Sequence, residues 1–181
     1  MIIKDSILPD IRIIIPKVHK DSRGYFFESY QKEKFRYNGI SENFVQDNQV
    51  ESKKGVLRGL HYQLNYPQGK LVRVIKGEIL DVAVDIRKGS KSFGKSEMIH
   101  LSCENKRMFY IPEGFAHGYL VLSEIAIVYY KCTEYYRPDD QYGVIWNDKR
   151  LNLDWGTNHP ILSNKDSELP DLNDQQYLPN I

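Results

Sequence analysis

Apolar and polar residues alternate along several short stretches of this chain, and this pattern predicts β-strands. In residues 80–86, leucine, valine and isoleucine at the even positions alternate with aspartate and alanine at the odd positions. A period of two over such a stretch is typical of a strand whose two faces differ. Residues 70–75 predict the preceding strand, and Lys76 with Gly77 between the two predicts a tight hairpin.

Strands dominate the rest of the chain as well. Further strands are expected at residues 11–15, 24–30, 44–50, 56–63, 95–101, 107–111, 117–122 and 125–136. One helix is predicted at residues 31–38 with Gly39 as its C′ residue, and a short helical turn is predicted near the C-terminus. The tail from Asp154 onward is rich in Pro, Asn and Asp, and we expect it to wrap the surface of the strands. This pattern indicates an all-β sandwich or barrel in a single domain of residues 1–181, with its core at about residues 40–150.

Composition and charge narrow the function classes. Lys plus Arg number 25 and Asp plus Glu number 24 in 181 residues, so the net charge of +1 argues against a general nucleic-acid-binding surface. The two cysteines, Cys103 and Cys132, are too few for a secreted disulfide framework. The first residues lack the apolar core of a signal peptide, and no apolar run approaches the roughly 18 residues that span a bilayer. We therefore expect a cytoplasmic protein without nucleic-acid or membrane partners.

Candidate chemistry first appears around His61. This histidine lies close in sequence to Arg58 and Lys70, on predicted neighbouring strands. A base, a guanidinium and an ammonium group together are typical of a site for an anionic substrate. In a regular strand Arg58 would point away from His61, but a bulge at Gly59 would bring both side chains to one face.

A second motif runs from Ile111 to Gly118 and contains Pro-x-Gly-x-x-His, ending at His117. It resembles the second sequence motif of the cupin superfamily of small β-barrels. In metal-binding cupins the first motif carries His-x-His, but here the corresponding place has Gln63 instead of the second histidine. Glutamine is a poor ligand for transition metals, so we expect no metal site. The sequence also lacks a Gly-rich Rossmann fingerprint, so we expect no dinucleotide cofactor.

Tyrosines form a third group, at residues 129–136. In an extended strand Tyr130 and Tyr136 share one face, while Tyr129 and Tyr135 share the other. One pair can therefore line the interior of a barrel, although some of these rings must serve core packing. A phenol, with its usual pKa of about 10, is a suitable proton donor to an enolate.

Taken together, these segments resemble the dTDP-4-dehydrorhamnose 3,5-epimerase family nearly from end to end. The resemblance is carried, in order, by residues 21–29, 44–48, 58–63, 68–73, 81–87, 111–118, 146–148 and 163–166. It implies a cupin-like double-stranded β-helix, or jelly roll, that forms a homodimer. The implied activity is a cofactor-free epimerisation at C3 and C5 of dTDP-4-dehydro-6-deoxy-D-glucose. The product would be dTDP-4-dehydro-L-rhamnose, a precursor of cell-surface polysaccharide such as lipopolysaccharide O-antigen.

The resemblance also implies roles for individual residues. His61 corresponds to the catalytic base, Asp166 to its partner, Tyr130 to the opposing proton donor and Lys70 to the lysine beside the 4-keto oxygen. The positions implied to hold the nucleotide-sugar are Arg23, Glu28, Gln46, Asp47, Asn48, Arg58, Lys70, His117, Tyr136, Gln141 and Lys165. Gln141, preceded by Asp139 and Asp140, stands where the family has an acidic residue, so either the glutamine or a neighbouring aspartate would make that contact.

Three other functions stay open at this point. A mono-epimerase acting only at C3 or only at C5 of a related nucleotide-sugar would share the fold and the base. A metal-dependent cupin enzyme is disfavoured by Gln63. A non-catalytic sugar-binding module is disfavoured because it gives no reason for His61, Lys70, Tyr130 and Asp166 to occur together.

Overall fold

The computed structural model describes residues 1–180 as two antiparallel β-sheets that face each other. The strands are β1 (Ile2–Asp5), β2 (Arg12–Ile15), β3 (His19–Asp21), β4 (Gly24–Phe26), β5 (Gln46–Lys53), β6 (Leu57–Gln63), β7 (Lys70–Lys76), β8 (Glu78–Asp85), β9 (Ser96–Ser102), β10 (Met108–Ile111), β11 (Phe115–Val121), β12 (Ile125–Cys132) and β13 (Gln141–Gly143). A six-stranded sheet has the order β1-β2-β10-β7-β12-β5, and a five-stranded sheet has the order β13-β6-β11-β8-β9. Strands β3 and β4 form a separate hairpin. The predicted all-β class is therefore confirmed.

A hydrophobic core lies between the two sheets. Val72 and Val128 contribute to it from the six-stranded sheet, and Ala83 and Phe115 contribute from the five-stranded sheet. Strands β1 and β2 belong to the six-stranded sheet, so the sheet includes residues that precede the predicted core at about 40–150. The extent of the domain stays a prediction, and its last residue, 181, lies outside the described residues.

Strand β8 has the two unlike faces that its alternation predicts. Leu80, Val82 and Val84 lie on its outer face in one buried cluster with Trp155 and Leu172 of the C-terminal tail. The opposite face, which carries two aspartates, points into the space between the sheets. Side chains alternate along a strand, so covering the apolar face with the tail places the polar face in the interior.

The predicted hairpin at Lys76 and Gly77 is wrong, because β7 and β8 belong to different sheets. Gly77 has a φ of +77°, and a Cβ atom there would lie 2.2 Å from the carbonyl oxygen of Ile125. The turn therefore carries the chain from one sheet to the other instead of folding it back beside itself. A turn signal in a sequence marks a change of direction but does not specify which strands pair.

Helix α1 (Lys32–Tyr37) forms where the sequence predicts it. The Gln31 side chain accepts a hydrogen bond from Lys34 N at 2.7 Å, and the Gly39 N–H donates to Arg36 O at 3.1 Å with a φ of +83°. These contacts satisfy backbone groups at both helix ends. Within residues 1–180, no helix has the length and apolar character required to cross a membrane.

Two of the predicted strands are shorter in the structure than in the sequence pattern. The strand expected at 24–30 ends at Phe26, and the strand expected at 125–136 ends at Cys132. Tyr135 and Tyr136 therefore lie beyond β12. They do not continue the strand that carries Tyr129 and Tyr130, although the sequence pattern predicted that they would. The aromatic run alone did not indicate where the ladder stops.

The C-terminal tail wraps the outer face of the five-stranded sheet, as predicted. It forms a bridge from Ile161 to Val56, and the Tyr62 hydroxyl donates to Tyr177 O at 2.7 Å. Within the tail, helix α2 (Asn164–Ser167) is capped by Ser163, whose hydroxyl accepts a hydrogen bond from Asp166 N at 3.1 Å. The predicted short helical turn is thus present, and its cap fixes the position of one acidic side chain.

We expect buried Asp85 to make the fold sensitive to acid. Burial alone would raise the pKa of this carboxyl, but hydrogen bonds from Arg87, Ser90 and Ser92 outweigh it and lower the pKa to about 2. A carboxyl with a depressed native pKa stabilises the fold above its unfolded pKa of about 4 and loses that contribution as the pH falls toward 2. The contribution is about 2 kcal/mol.

Urea unfolding of the wild type and Asp85→Asn between pH 7 and pH 2.5 measures this effect. The difference in unfolding free energy between the two proteins should be greatest near neutral pH and should shrink below pH 4. A difference that stays constant down to pH 2.5 would contradict the assignment.

Candidate active site

A cavity of about 330 Å³ opens between the two sheets, and Tyr130 on its wall also packs against the hydrophobic core. Its walls are Gln46, Asn48, Val50, Arg58, His61, Gln68, Lys70, His117, Gly118, Tyr119, Tyr130, Cys132, Tyr136, Gln141, Ser163, Lys165 and Asp166. A cavity of this size, with several converging polar groups, is typical of a small-molecule site. Residues from both sheets and from the tail meet in it.

The irregularity predicted at Gly59 is present and brings Arg58 and His61 to one face. His61 lies opposite His117, and Arg58 lies opposite Tyr119, so β6 has one residue more than β11 between the two pairs. Gly59 has a φ of +107°, and a Cβ atom there would lie 2.5 Å from the carbonyl oxygen of His117. Only glycine fits this bulge, which places a base and a guanidinium in the same pocket.

His61 is paired with Asp166 of helix α2. The distance from His61 Nε2 to Asp166 Oδ1 is 2.5 Å, and the aspartate is buried while the imidazole is partly open to the cavity. Burial by itself would raise the pKa of Asp166, but the hydrogen bonds from His61 and Ser163 outweigh it and lower the pKa. The carboxylate therefore stays charged beside the ring, orients it and stabilises its protonated form.

Lys70 and Tyr130 approach the cavity from the six-stranded sheet. Tyr130 pairs with Val72 across β7 and β12, and Lys70 pairs with Cys132, so both functional side chains lie on the same face of adjacent strands. Burial lowers the pKa of the Lys70 ammonium and raises the pKa of the Tyr130 phenol to about 12. The phenol therefore retains its proton at neutral pH and is available as an acid.

His117 also faces the cavity, directly across the strands from His61. Its Nε2 lies 2.5 Å from Oδ1 of Asp81, a residue with no exposed surface. Burial lowers the pKa of His117, although Asp81 opposes the change. The pocket thus holds two histidine–aspartate pairs, one from the tail and one from within the five-stranded sheet.

Gln141 lines the cavity, whereas the neighbouring Asp139 and Asp140 do not. Its Oε1 accepts hydrogen bonds from Lys165 Nζ at 2.6 Å and from the Tyr136 hydroxyl at 3.0 Å. Asp140 points elsewhere, because it accepts hydrogen bonds from the backbone and side chain of Asn65. An amide oxygen therefore provides the acceptor at the cavity wall.

Gln46 and Asn48 complete this wall from β5. Gln46 Nε2 donates to Asn48 Oδ1 at 3.0 Å, and Gln46 Oε1 accepts from the backbone N–H of Tyr136 at 2.9 Å. These contacts hold the segment after β12 against β5, so Tyr136 lines the pocket even though it lies beyond the strand.

The side chains of three residues predicted to hold the ligand do not line the cavity of their own chain. Asp47 is the first: it lies between Gln46 and Asn48 on β5, so its side chain points to the other face of the strand. There it accepts hydrogen bonds from Tyr129 at 2.7 Å and Lys131 at 2.8 Å. A sequence segment matched as a block does not separate the two faces of a strand.

Arg23 and Glu28 are the other two. Arg23 belongs to the turn between β3 and β4, where it pairs with Asp21, and Glu28 pairs with Lys34 of α1. Neither belongs to the cavity wall of the same chain. The hairpin that carries Arg23 is not part of either main sheet, and its residues Tyr25 and Phe26 are 57% and 70% exposed.

Several residues of the site were not singled out from the sequence. Tyr119 and Cys132 each lie two residues from a predicted site residue, so the strand period could have indicated them. Ser163 belongs to the matched segment 163–166, but its role as the N-cap of α2 was not predicted. Asp81, the partner of His117, belonged to a predicted strand but had no signal that placed it beside a particular histidine.

Metal-ligating side chains are not grouped in the part of the chain that the structure describes. Within residues 1–180, no three His, Cys, Asp or Glu side chains are arranged to hold a metal ion. The two histidines of the pocket each bind a carboxylate through Nε2.

Comparison with known proteins agrees with this geometry. The family model described as dTDP-4-dehydrorhamnose 3,5-epimerase matches residues 5–174. The enzyme of that name from Salmonella typhimurium is 50% identical over 181 residues, which cover 98% of each chain. The chain belongs to the dTDP-4-dehydrorhamnose 3,5-epimerase family. The prediction from its motifs is therefore confirmed, and the protein is an epimerase of the isomerase class.

Solved structures of family members have the same fold. The Legionella pneumophila dTDP-6-deoxy-D-glucose-3,5-epimerase, in complex with dTDP-4-keto-L-rhamnose, superposes with a TM-score of 0.95 at 48% identity, covering 99% of this chain and 97% of that one. The 3'-monoepimerase ChmJ of Streptomyces bikiniensis, in complex with dTDP-quinovose, superposes with a TM-score of 0.89 at 31% identity, covering 94% and 89%. The predicted cupin-like jelly roll is confirmed.

Proposed function

We propose that this epimerase inverts C3 and C5 of dTDP-4-dehydro-6-deoxy-D-glucose to give dTDP-4-dehydro-L-rhamnose, in dTDP-L-rhamnose biosynthesis. One observation carries the proposal: His61, paired with Asp166, and Tyr130 enter the cavity from opposite sheets. Inversion of a carbon needs a base on one face and an acid on the other. A binding module would need neither.

The chemistry starts from the 4-ketone of the substrate. The ketone acidifies the C–H bonds at C3 and C5, because the electron pair left by each proton delocalises onto oxygen as an enolate. His61 takes the proton, Asp166 stabilises the imidazolium, and Lys70 donates a hydrogen bond to the oxygen as its negative charge develops. Since that charge is absent from the bound ketone and develops on the way to the enolate, Lys70 lowers the barrier more than it strengthens substrate binding.

Tyr130 completes each inversion by returning a proton to the opposite face of the carbon. The enolate electron pair forms the new C–H bond, and the phenol becomes a phenolate. The high pKa of Tyr130 keeps the proton on the phenol until the carbanion is present. The His61 imidazolium then gives a proton to solvent, and the Tyr130 phenolate takes one from solvent. Both side chains return to their starting states, and the reaction consumes no oxidant or reductant.

The diphosphate and the nucleoside are assigned to the polar side of the cavity. Arg58 and Lys165 provide cationic donors that suit phosphate oxygens. Tyr136 is 49% exposed, which leaves an aromatic face free for a planar base. Gln46, Asn48, His117 and Gln141 provide further hydrogen-bonding groups around the sugar and the nucleoside.

We further infer that the enzyme works as a homodimer in the cytoplasm. The exposed aromatic residues Tyr25 and Phe26 on the β3–β4 hairpin favour burial against a second copy. Such a dimer would bring Arg23 and Glu28 to the pocket of the other protomer, where they could contact the nucleotide. Free Cys103 and Cys132 suit a reducing compartment.

NMR in D₂O tests the proposed reaction. When the purified protein is incubated with dTDP-4-dehydro-6-deoxy-D-glucose, we expect solvent deuterium to replace hydrogen at both C3 and C5, with inversion at both carbons. Exchange and inversion at one carbon alone would establish a mono-epimerase, the second candidate, which the likeness to ChmJ supports. No exchange at either carbon would disprove the proposed function.

Exhaustive chelation should leave this activity unchanged. The substrate ketone is itself the electron sink, and Lys70 provides the positive charge at its oxygen, so the proposed steps need no metal ion. Turnover should be compared before and after prolonged dialysis against EDTA and a stronger heterocyclic chelator. Activity that disappears on chelation and returns with added metal would revive the metal-dependent alternative.

A further inference from the structure

Asp81 is a buried acid that the steps proposed above do not use. It lies in the middle of β8, has no exposed surface, and binds His117 through Oδ1. Among the residues that the structure describes, no donor reaches its second oxygen, Oδ2. Burying a carboxylate oxygen without a hydrogen bond is costly, so such groups persist mainly where they have a function.

The contact with His117 defines which ring nitrogen faces the ligand. A carboxylate accepts hydrogen bonds, so His117 Nε2 carries the proton in this pair. In the neutral ring Nδ1 then has a free electron pair, and no protein group of residues 1–180 donates to it. Because His117 lines the cavity, Nδ1 can accept a hydrogen bond from a substrate hydroxyl.

Lys70 is the second group that Asp81 affects. Within the described residues, no carboxylate oxygen lies within 4 Å of Lys70 Nζ, so the buried ammonium has no direct ion pair. Burial lowers the pKa of Lys70, while Cys132 and Asp81 act against this lowering. Lys70 and His117 line the same cavity, and Asp81 is hydrogen-bonded to His117. The carboxylate therefore lies on the His117 side of the cavity and adds negative charge there without forming an ion pair with the Lys70 ammonium.

We propose that Asp81 is a positioning residue for the epimerisation: it fixes His117 with Nδ1 as an acceptor toward the sugar and holds Lys70 as a cation for the developing oxyanion. This inference rests on the proposed function, because it assigns these two groups to the same substrate. Asp81 itself is not among the residues that line the cavity. Its effect reaches the reaction through one hydrogen bond and through charge.

Other charged and titratable groups surround this part of the cavity and must be considered with Asp81. They are His61 and Arg58 on β6, His117 and Tyr119 on β11, Tyr130 and Cys132 on β12, and Lys165 and Asp166 in the tail. Asp166 is paired with His61, so it neutralises that dyad and not Lys70. Arg58 and Lys165 add positive charge to the cavity, and this charge disfavours the protonated form of Lys70. A negative group nearby offsets that effect.

The pH dependence of Asp81→Asn tests the proposal. The variant keeps the shape of the side chain but removes its charge, so Lys70 should lose its proton at lower pH. We expect the alkaline limb of the kcat profile to move down by about one pH unit. We also expect kcat/KM at neutral pH to fall about 10- to 100-fold. An alkaline limb that stays at the wild-type pH would overturn the proposal.

Asp85→Asn is the matched control. Asp85 lies on the same strand and is equally buried, but its partners are Arg87, Ser90 and Ser92, outside the cavity. This variant should lose stability without any shift of the alkaline limb. If both variants shift the limb equally, the effect is a general consequence of removing a buried carboxylate, and the proposal is wrong.

A measurement on the wild type decides the matter if Asp81→Asn does not fold. Long-range ¹H–¹⁵N NMR spectra distinguish the two neutral tautomers of a histidine and its protonated form. We expect His117 to be neutral with its proton on Nε2 at neutral pH. A proton on Nδ1 would overturn the proposal. Wild-type turnover on the dTDP-sugar, measured separately, tests the proposed function itself.

Discussion

Replacing His61 by asparagine should reduce kcat about 10²- to 10⁴-fold, because the variant has no base at the position that faces the substrate carbon. The affinity for dTDP should stay nearly unchanged, since the cationic groups assigned to the diphosphate, Arg58 and Lys165, are left in place. Turnover followed by NMR and dTDP affinity from calorimetry measure the two effects independently. A variant that keeps more than about a tenth of wild-type turnover would show that another group removes the proton.

His100→Asn is the matched control for this experiment. His100 is also a strand histidine paired with a carboxylate, Glu78, but it lies on β9 outside the cavity and is exposed. Its replacement should change neither turnover nor dTDP binding. Loss of activity in both variants would indicate a general effect of removing a histidine, and the assignment of His61 would fail.

Replacing Tyr130 by phenylalanine should separate the removal of a proton from its return. Epimerisation should fall about 10²-fold or more, because no phenol is left to protonate the opposite face. His61 still takes a proton and gives one back on the same face. Recovered substrate should therefore acquire deuterium from D₂O without inversion. NMR of the sugar protons reports both quantities in one experiment.

Tyr129→Phe provides the comparison for Tyr130. Tyr129 is its neighbour on β12, but its hydroxyl points to the other face and donates to Asp47 at 2.7 Å. That variant should epimerise at the wild-type rate. If Tyr130→Phe loses deuterium exchange together with epimerisation, the phenol is needed for the first proton transfer as well, and the separate roles proposed here are incorrect.

Much of this site could be predicted because the alternation along the strands and the family resemblance point to the same residues. The period of two placed Tyr130 on a different face from Tyr129, and the bulge at Gly59 followed from the need to bring Arg58 and His61 together. The structure places all these groups as expected. Local sequence is sufficient to predict the position of a side chain where that position depends only on residues nearby in the chain.

Predictions were less successful where distant segments decide the geometry. The turn at Gly77 joins two sheets instead of forming a hairpin, and its neighbours Ser123 and Ile125 come from the connection between β11 and β12 and from the start of β12. Asp47 was assigned to the ligand with its neighbours, although alternation turns its side chain away. The pairing of Asp81 with His117 depends on the order of strands in the sheet, which no local pattern specifies.

The position of Asp166 on the tail also links activity to the completion of folding. The two sheets can supply His61, Lys70 and Tyr130, but the partner of His61 arrives only when the tail has packed over the five-stranded sheet. In a molecule whose tail has not docked, His61 would lack the hydrogen bond to Asp166 that orients its ring. Docking of the tail thus completes the His61–Asp166 pair, and proton transfer depends on a contact that the two sheets alone do not provide.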